Sequence, residues 1–231
     1  GFVIAKPKYI PRHKIDCSGF QERNIHGSDV RRFDYWAVDQ NRLKDYIGDF
    51  RKAYPEYVYD SPLHGRWFMG VPRKKISKLP DPKEGVKKIL AMKESELDEY
   101  MKRAQAFLNI LVDGGLKPSE MGVTNSTLLG TYTYGRSDID VIVYGKKNYW
   151  KYWDLIQQAK HPWMRWRTID EWKKYFATYN AGLYITEEEF IRHAERKFSD
   201  GLFGETVVSV FGVENPDEVS MKWGEEKYTP M

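Results

Sequence analysis

Two aspartates separated by one apolar residue, Asp138-Ile139-Asp140, are the side chains of this chain best suited to chemistry. The apolar run Val141-Ile142-Val143 follows them, so the segment reads as a strand that begins with two carboxylates. Side chains in a strand alternate between faces, which puts Asp138 and Asp140 on one side and sends Ile139 and Val141 toward a core. Upstream, Gly122-Val123-Thr124-Asn125-Ser126-Thr127 reads as a short strand and a Ser-containing turn that opens a short helix. Backbone N–H groups gather in such a turn and favour anions. Carboxylates facing that turn suit a Mg²⁺ ion carrying a nucleoside triphosphate. Each feature alone has a plainer reading. Ser126 caps a helix, and Ser137-Asp138 closes a polar turn before an ordinary strand.

The elements that must hold these residues follow from patterning. A helical region is expected from Lys83 to about Val112, with an apolar stripe of Ile89, Leu90, Leu97, Met101, Ala104, Leu108 and Leu111, and Gly114-Gly115 stops it. Later helices are expected near Asn148–Lys160, Asp170–Tyr179 and Thr186–Phe198, the last with a Thr186/Glu189 capping box. Gly201–Gly204 leads into the apolar strand Thr206–Val213. Strands alternating with helices around one carboxylate-bearing strand predict an α/β or α+β fold. Before this, Asn41–Tyr54 reads as an amphipathic helix, and Tyr57-Val58-Tyr59 and Trp67–Val71 as short strands. Ser18-Gly19 reads as a turn, and Cys17 as part of it. Ser77–Pro82, with two prolines, is the expected linker.

Composition narrows the classes. The 231 residues suffice for one large domain or two modest ones, no apolar stretch has transmembrane length, and no signal peptide shows at the start. One cysteine, Cys17, excludes a disulfide framework and fits a reducing cytoplasm. The net charge is +4, with Lys and Arg gathered before Leu79 and acids at Glu94–Glu99 and Glu187–Glu189. Such a balance permits a nucleotide or nucleic-acid partner without requiring one.

The pattern Asn125-Ser126, eleven residues, then Asp138-Ile139-Asp140-Val141 resembles the signature of the nucleotidyltransferase superfamily that includes DNA polymerase β. That signature is a Gly-Ser turn, a spacer of this order, and an Asp-hydrophobic-Asp strand. More loosely, Tyr54-Pro55-Glu56-Tyr57, Gly70-Val71-Pro72 and Gly201-Leu202-Phe203-Gly204 are similar to segments of an archaeal family of predicted nucleotidyltransferases with an N-terminal extension. The resemblance implies a mixed sheet flanked by helices over residues 83–231, an accessory region over 1–80, and a continuation beyond the Gly224–Pro230 stretch. It implies transfer of a nucleoside monophosphate from an NTP to a hydroxyl on RNA, DNA, protein or a small molecule, with Mg²⁺ (or Mn²⁺) as cofactor. Asp138 and Asp140 would hold the metal. Asn125, Ser126 and Thr127 would hold the phosphates.

Three departures from the signature matter. Asn125 stands where the family has Gly, although Asn tolerates the left-handed conformation better than most residues. No cation follows Ser126 within the short helix, so Arg136 is the nearest basic candidate for the phosphates. No third carboxylate announces itself, and Glu205, just before Thr206, is the expected third acid, with a solvated strand-entry residue as its plainer reading. A catalytically lapsed nucleotide- or nucleic-acid-binding module on the same fold is the alternative function. Trp163–Arg167 and Tyr149–Trp153 interleave aromatic and basic residues and suit either base stacking or core packing. Arg192 and Arg196 share a helix face, for phosphate contact or for ion pairs with Glu187, Glu188, Glu189 and Glu195. Tyr132 and Tyr134 flank the motif, either to stack on a base or to cover the sheet. The five histidines show no metal-ligand spacing.

Overall fold

Pro80 and Pro82 bar a helix from running through residues 77–82, and the chain divides there into two units, Gly1–Leu79 and Pro80–Met231. The computed structural model describes residues 1–11, 15, 21–25, 27–32, 40–179, 185–222 and 225. Cys17, the Ser18-Gly19 turn and most of the Gly224–Pro230 stretch lie outside them.

In the first unit β1 (Phe2–Ile4), β2 (Tyr9–Pro11), β3 (Gln21–Ile25) and β4 (Ser28–Arg32) precede α1 (Gln40–Ala53), then β5 (Val58–Ser61) and β6 (Arg66–Pro72). The strands form two three-stranded antiparallel sheets, β1-β6-β5 and β2-β4-β3. Ile10, Tyr46, Phe50 and Tyr54 are central to a small core. The first four strands lack an apolar alternation that would have announced them, and β3 is mostly exposed.

The second unit begins with the region expected as one helix, and the structure breaks it in two. Asp81 caps α2 (Pro82–Ala91), accepting the N–H of Lys83, and Asp98 caps α3 (Glu99–Asp113), accepting the N–H of Met101. The Gln105 amide donates to the carbonyls of Ile89 and Met92, satisfying the end of α2 where its ladder stops. Then come β7 (Met121–Val123), α4 (Asn125–Leu129), β8 (Ile139–Tyr144), α5 (Lys146–Gln158), β9 (Met164–Trp166), α6 (Ile169–Tyr179), α7 (Glu187–Lys197), β10 (Asp200–Phe203) and β11 (Thr206–Val213). The Thr186/Glu189 capping box is present at the start of α7. Gly201–Gly204, expected as a lead-in, instead supplies a strand. Its last residue, Gly204, turns the β10–β11 hairpin with φ +64.

Five strands form one mixed sheet in the order β7-β8-β11-β10-β9. β8 and β11 run parallel and every other neighbour is antiparallel. The architecture is mixed α+β. One face carries Val123, Ile139, Val141, Val143, Val208 and Val210, which join Val86, Tyr100, Leu108, Leu111, Tyr152 and Ile156 of the helices in the main core. Among the described residues no helix is long and apolar enough to cross a membrane.

α2 lies close on the β7–α4 corner. A Cβ on Gly85 would meet Val123 Cγ2 at 2.6 Å and Leu128 Cδ1 at 2.8 Å. Gly85→Ala therefore overpacks this corner, and the clash outweighs the gain in helix propensity. The expected outcome is a loss of about 1–2 kcal/mol in stability, read from the midpoint of urea denaturation.

Candidate functional site

The chemistry-bearing segments meet where β7 ends and β8 begins. Thr124 follows β7, and its N–H donates to the carbonyl of Asp140 (3.0 Å). Asn125 then adopts φ 51, the left-handed region that Gly favours and Asn enters at modest cost. Its Nδ2 donates to Asp140 Oδ2 at 2.9 Å. Asn125 thus takes the conformation expected of a glycine and adds a tether that glycine lacks. At five residues α4 is too short for a macrodipole of consequence. What the turn offers an anion is backbone N–H groups and the Ser126 hydroxyl.

Tyr100, on the first turn of α3, ties this turn to the carboxylate strand. Its hydroxyl donates to the carbonyl of Asp138 (2.7 Å) and lies 2.6 Å from Thr127 Oγ1. The residue is fully buried, and burial pushes its phenol up to about 12, with the negative fields of Asp140 and Asp138 adding to the effect. Tyr132 stacks on Tyr100 with centroids 4.2 Å apart and donates to Asp98 Oδ2. Tyr132 therefore covers the Tyr100 ring. Tyr134 lies under the Arg103 guanidinium, 4.9 Å from ring to Cζ.

Asp138 immediately precedes β8 and is exposed, and Asp140 is half-buried, while Ile139, Val141 and Val143 take the core side. The strand pairing extends the polar row away from β7. Asp140 stands beside Ser209 on β11, and Ser209 beside Asp200 on β10. Ser209 Oγ donates to Asp200 Oδ1 (2.8 Å) and Ser199 Oγ to Asp200 Oδ2 (3.2 Å). Asp200 is two strands from Asp140, roughly 10 Å between backbones. With Asp138, Ser209, Arg167 and Lys174 it lines a cavity of about 380 Å³. Glu205 sits exposed in the hairpin turn and is not among the described residues lining that cavity. Asp200 escaped the sequence reading because Gly201 beside it suggests a turn, whereas the pairing with β9 and β11 makes it a strand residue.

Arg136 lies exposed in the turn before β8, where its N–H and that of Ser137 share the Thr133 carbonyl. The aromatic–basic arrays are divided, with Tyr152 buried, Tyr149, Trp153 and Trp166 half-buried, and Trp150 and Trp163 exposed. Trp153 and Trp166 both meet Phe198 edge-on, and Trp163 meets Phe203, while Trp150 is 61 % exposed. Arg165 makes a two-pronged ion pair with Glu171, whose carboxyl the guanidinium holds down at about 2. Arg192 and Arg196 are exposed on α7, and Arg192 contributes to holding the Glu189 carboxyl below its usual range after the Thr186 hydrogen bonds.

The donor chemistry of Asp138, Asp140 and Asp200 fits a hard divalent cation, since carboxylate oxygens are the ligands Mg²⁺ and Mn²⁺ prefer. Among the described residues no three His, Cys, Asp or Glu side chains stand close enough together to enclose a metal unaided. Mg²⁺ is ordinarily held by one or two carboxylates plus substrate phosphates and water. Asp138 and Asp140 are the two carboxylates that would contribute to such a set.

Among known proteins, the chain is similar to an uncharacterised protein of Methanocaldococcus jannaschii, with 30% identity over 120 residues. The match covers 52% of this chain and 35% of the relative, so the chain spans about a third of the curated protein it matches. No family model matches the chain, and no solved structure matches it.

Tyr100→Phe leaves the Asp138 carbonyl and the Thr127 hydroxyl without their shared buried partner. The expected cost is about 1–3 kcal/mol of stability, measured by denaturant titration at neutral pH. The wild-type phenol has a raised folded pKa, so its contribution is complete below pH 10 and is lost as pH rises toward 12. Wild-type stability should therefore fall over that interval, and Tyr100→Phe should fall less steeply.

Proposed function

We propose that the Pro80–Met231 unit is a polymerase β-type nucleotidyltransferase that moves a nucleoside monophosphate from an NTP to a hydroxyl acceptor. The observation that carries this reading is the convergence of the Asn125–Thr127 turn on the Asp138/Asp140 pair, through the Asn125–Asp140 bond and the Tyr100 bridge. The match to the archaeal relative is compatible with it and adds no activity of its own.

On this reading the triphosphate tail lies on the Asn125–Thr127 turn, where N–H groups and the Ser126 hydroxyl receive its oxygens. Arg136, exposed before β8, is close in sequence to Asp138 and free to follow the phosphates. Asp138 and Asp140 would hold Mg²⁺ or Mn²⁺, with Asp200 facing them across Ser209. That ion would neutralise charge on the phosphates and on the leaving pyrophosphate. The acceptor O–H bond breaks as a new O–P bond forms at the α-phosphorus. The bond from that phosphorus to the bridging oxygen breaks, and pyrophosphate departs with the electron pair. Asp200, kept in place by the hydroxyls of Ser209 and Ser199, receives the proton. Asn125 orients Asp140, and Tyr100 sets the height of the turn over the strand. Positioning and charge neutralisation supply most of the acceleration.

The test is incubation of the protein with α-labelled NTPs, Mg²⁺ or Mn²⁺, and a panel of tRNA, DNA oligonucleotide, protein and sugar acceptors. Label transfer should occur and drop at least about a hundredfold in Asp138→Asn and in Asp140→Asn, with folding verified by circular dichroism. Nucleotide binding without transfer, unaffected by either substitution, would establish the non-catalytic binding module in its place.

A further inference from the structure

On the reading of nucleotidyl transfer, we propose that the cavity between the β11–β10 face and α6 receives an acceptor carrying a phosphate beside its reactive hydroxyl, and that Arg167 and Lys174 bind that phosphate. The cavity lies on the far side of Asp138 from the Asn125–Thr127 turn, since β11, β10 and β9 follow β8 in the sheet and β7 precedes it. In an in-line displacement the hydroxyl approaches opposite the leaving pyrophosphate. With the triphosphate tail on the β7 side, the hydroxyl arrives from the β11–β10 side, past Asp200.

The cations there are presented for an anion. Arg167 directly follows β9, whose Trp166 pairs with Gly201 next to Asp200. Its guanidinium carbon lies 5.4 Å from the ring centre of Trp172 and 5.3 Å from that of Tyr175. The buried Nε has no hydrogen-bond partner among the described residues. Glu171, the acid of α6 that lines the cavity, is already committed to Arg165 and the Thr168 N–H. Lys174 lies one turn farther along α6 and is exposed into the same cavity. Neighbouring strands are about 5 Å apart, so hydroxyl and phosphate sit within the span of one nucleotide or one sugar phosphate. A polynucleotide 3′ end and a small phosphorylated sugar share this chemistry.

Calorimetric titration tests the assignment without turnover. The probes are a dinucleoside monophosphate, ribose 5-phosphate and unphosphorylated adenosine, with ATP titrated separately. The phosphorylated probes should bind and adenosine should not. The tighter of the dinucleotide and the ribose phosphate identifies the source. Affinity for the phosphorylated probes should fall roughly tenfold in Arg167→Gln and in Lys174→Met. Lys173→Ala, outside the cavity, should leave it unchanged. Arg167 packs on two rings, so the exposed Lys174→Met variant keeps the test decisive where Arg167→Gln misfolds. ATP affinity should survive both changes and fall in Ser126→Ala. Unchanged affinity for the phosphorylated probes overturns the proposal, and so does an equal loss for ATP, which would place the nucleotide in the cavity. If the probes respond as expected while ATP neither binds nor donates label, the anion site stands and the transferase reading fails.

Discussion

The Tyr100 hydroxyl is the point on which the arrangement of this unit depends. It is buried with the turn on one side and the start of the carboxylate strand on the other, and it bonds to both. A buried hydroxyl without partners costs more than its bonds contribute in water, so α3 can settle only where both bonds form. Asp98 reinforces that placement twice. One oxygen accepts the Met101 N–H and begins the helix, and the other accepts the Tyr132 hydroxyl and holds the ring stacked on Tyr100. Starting α3 and setting the turn over the strand are therefore accomplished by the same few atoms.

The charges around this point are graded across the sheet. Carboxylates at Asp138, Asp140 and Asp200 would repel one another and raise the energy of the fold if left bare. Neutral donors temper them, with Asn125 on Asp140 and Ser209 and Ser199 on Asp200. None of these donors removes the charge. Among the described residues, the cations that line the cavity stand on the segment after β9 and on α6. Glu171 and Arg165 neutralise one another there, leaving Arg167 and Lys174 as the positive side of the cavity. Lys87 pairs with Glu84 on α2, and Lys102 and Arg103 pair with Glu99 on α3.

Much of the helical framework was legible in the chain because helices announce themselves locally. The Thr186/Glu189 box marks α7, and the apolar stripe marks α2 and α3. What the stripe could not show was the break between them, which depends on the Asp98 cap and on a long-range bond from Gln105. The apolar strand Thr206–Val213 was readable for the same local reason, and Asp138-Ile139-Asp140 drew the eye as two acids on one side of a strand. β3 and β4 carry no apolar alternation and were missed. Asp200 and Arg167 were missed for a deeper reason. Their relation to Asp140 arises only from the pairing of β8 with β11, β11 with β10 and β10 with β9, and cross-strand register has no local signature. Glu205 attracted attention because it precedes a strand. Its place in the hairpin turn shows that proximity in sequence was a poor guide to position along the sheet.

The location of the acids also weighs on which function the unit serves. Two unit charges 4 Å apart interact by about 1 kcal/mol in water and about 4 kcal/mol at the effective dielectric of a protein surface. Aspartates at 138 and 140 therefore oppose a phosphate on the adjoining turn. A site that only captured anions would be improved by neutral residues at both positions. The acids become favourable once a divalent cation lies between them and the phosphates, because each carboxylate then adds to the attraction for the ion. With an anion-favouring turn on one side of the acids and Arg167 and Lys174 on the other, two anionic groups can be held apart with the cation between them. That charge pattern is the one the proposed transfer would use, since such a transfer depends on positioning and charge neutralisation.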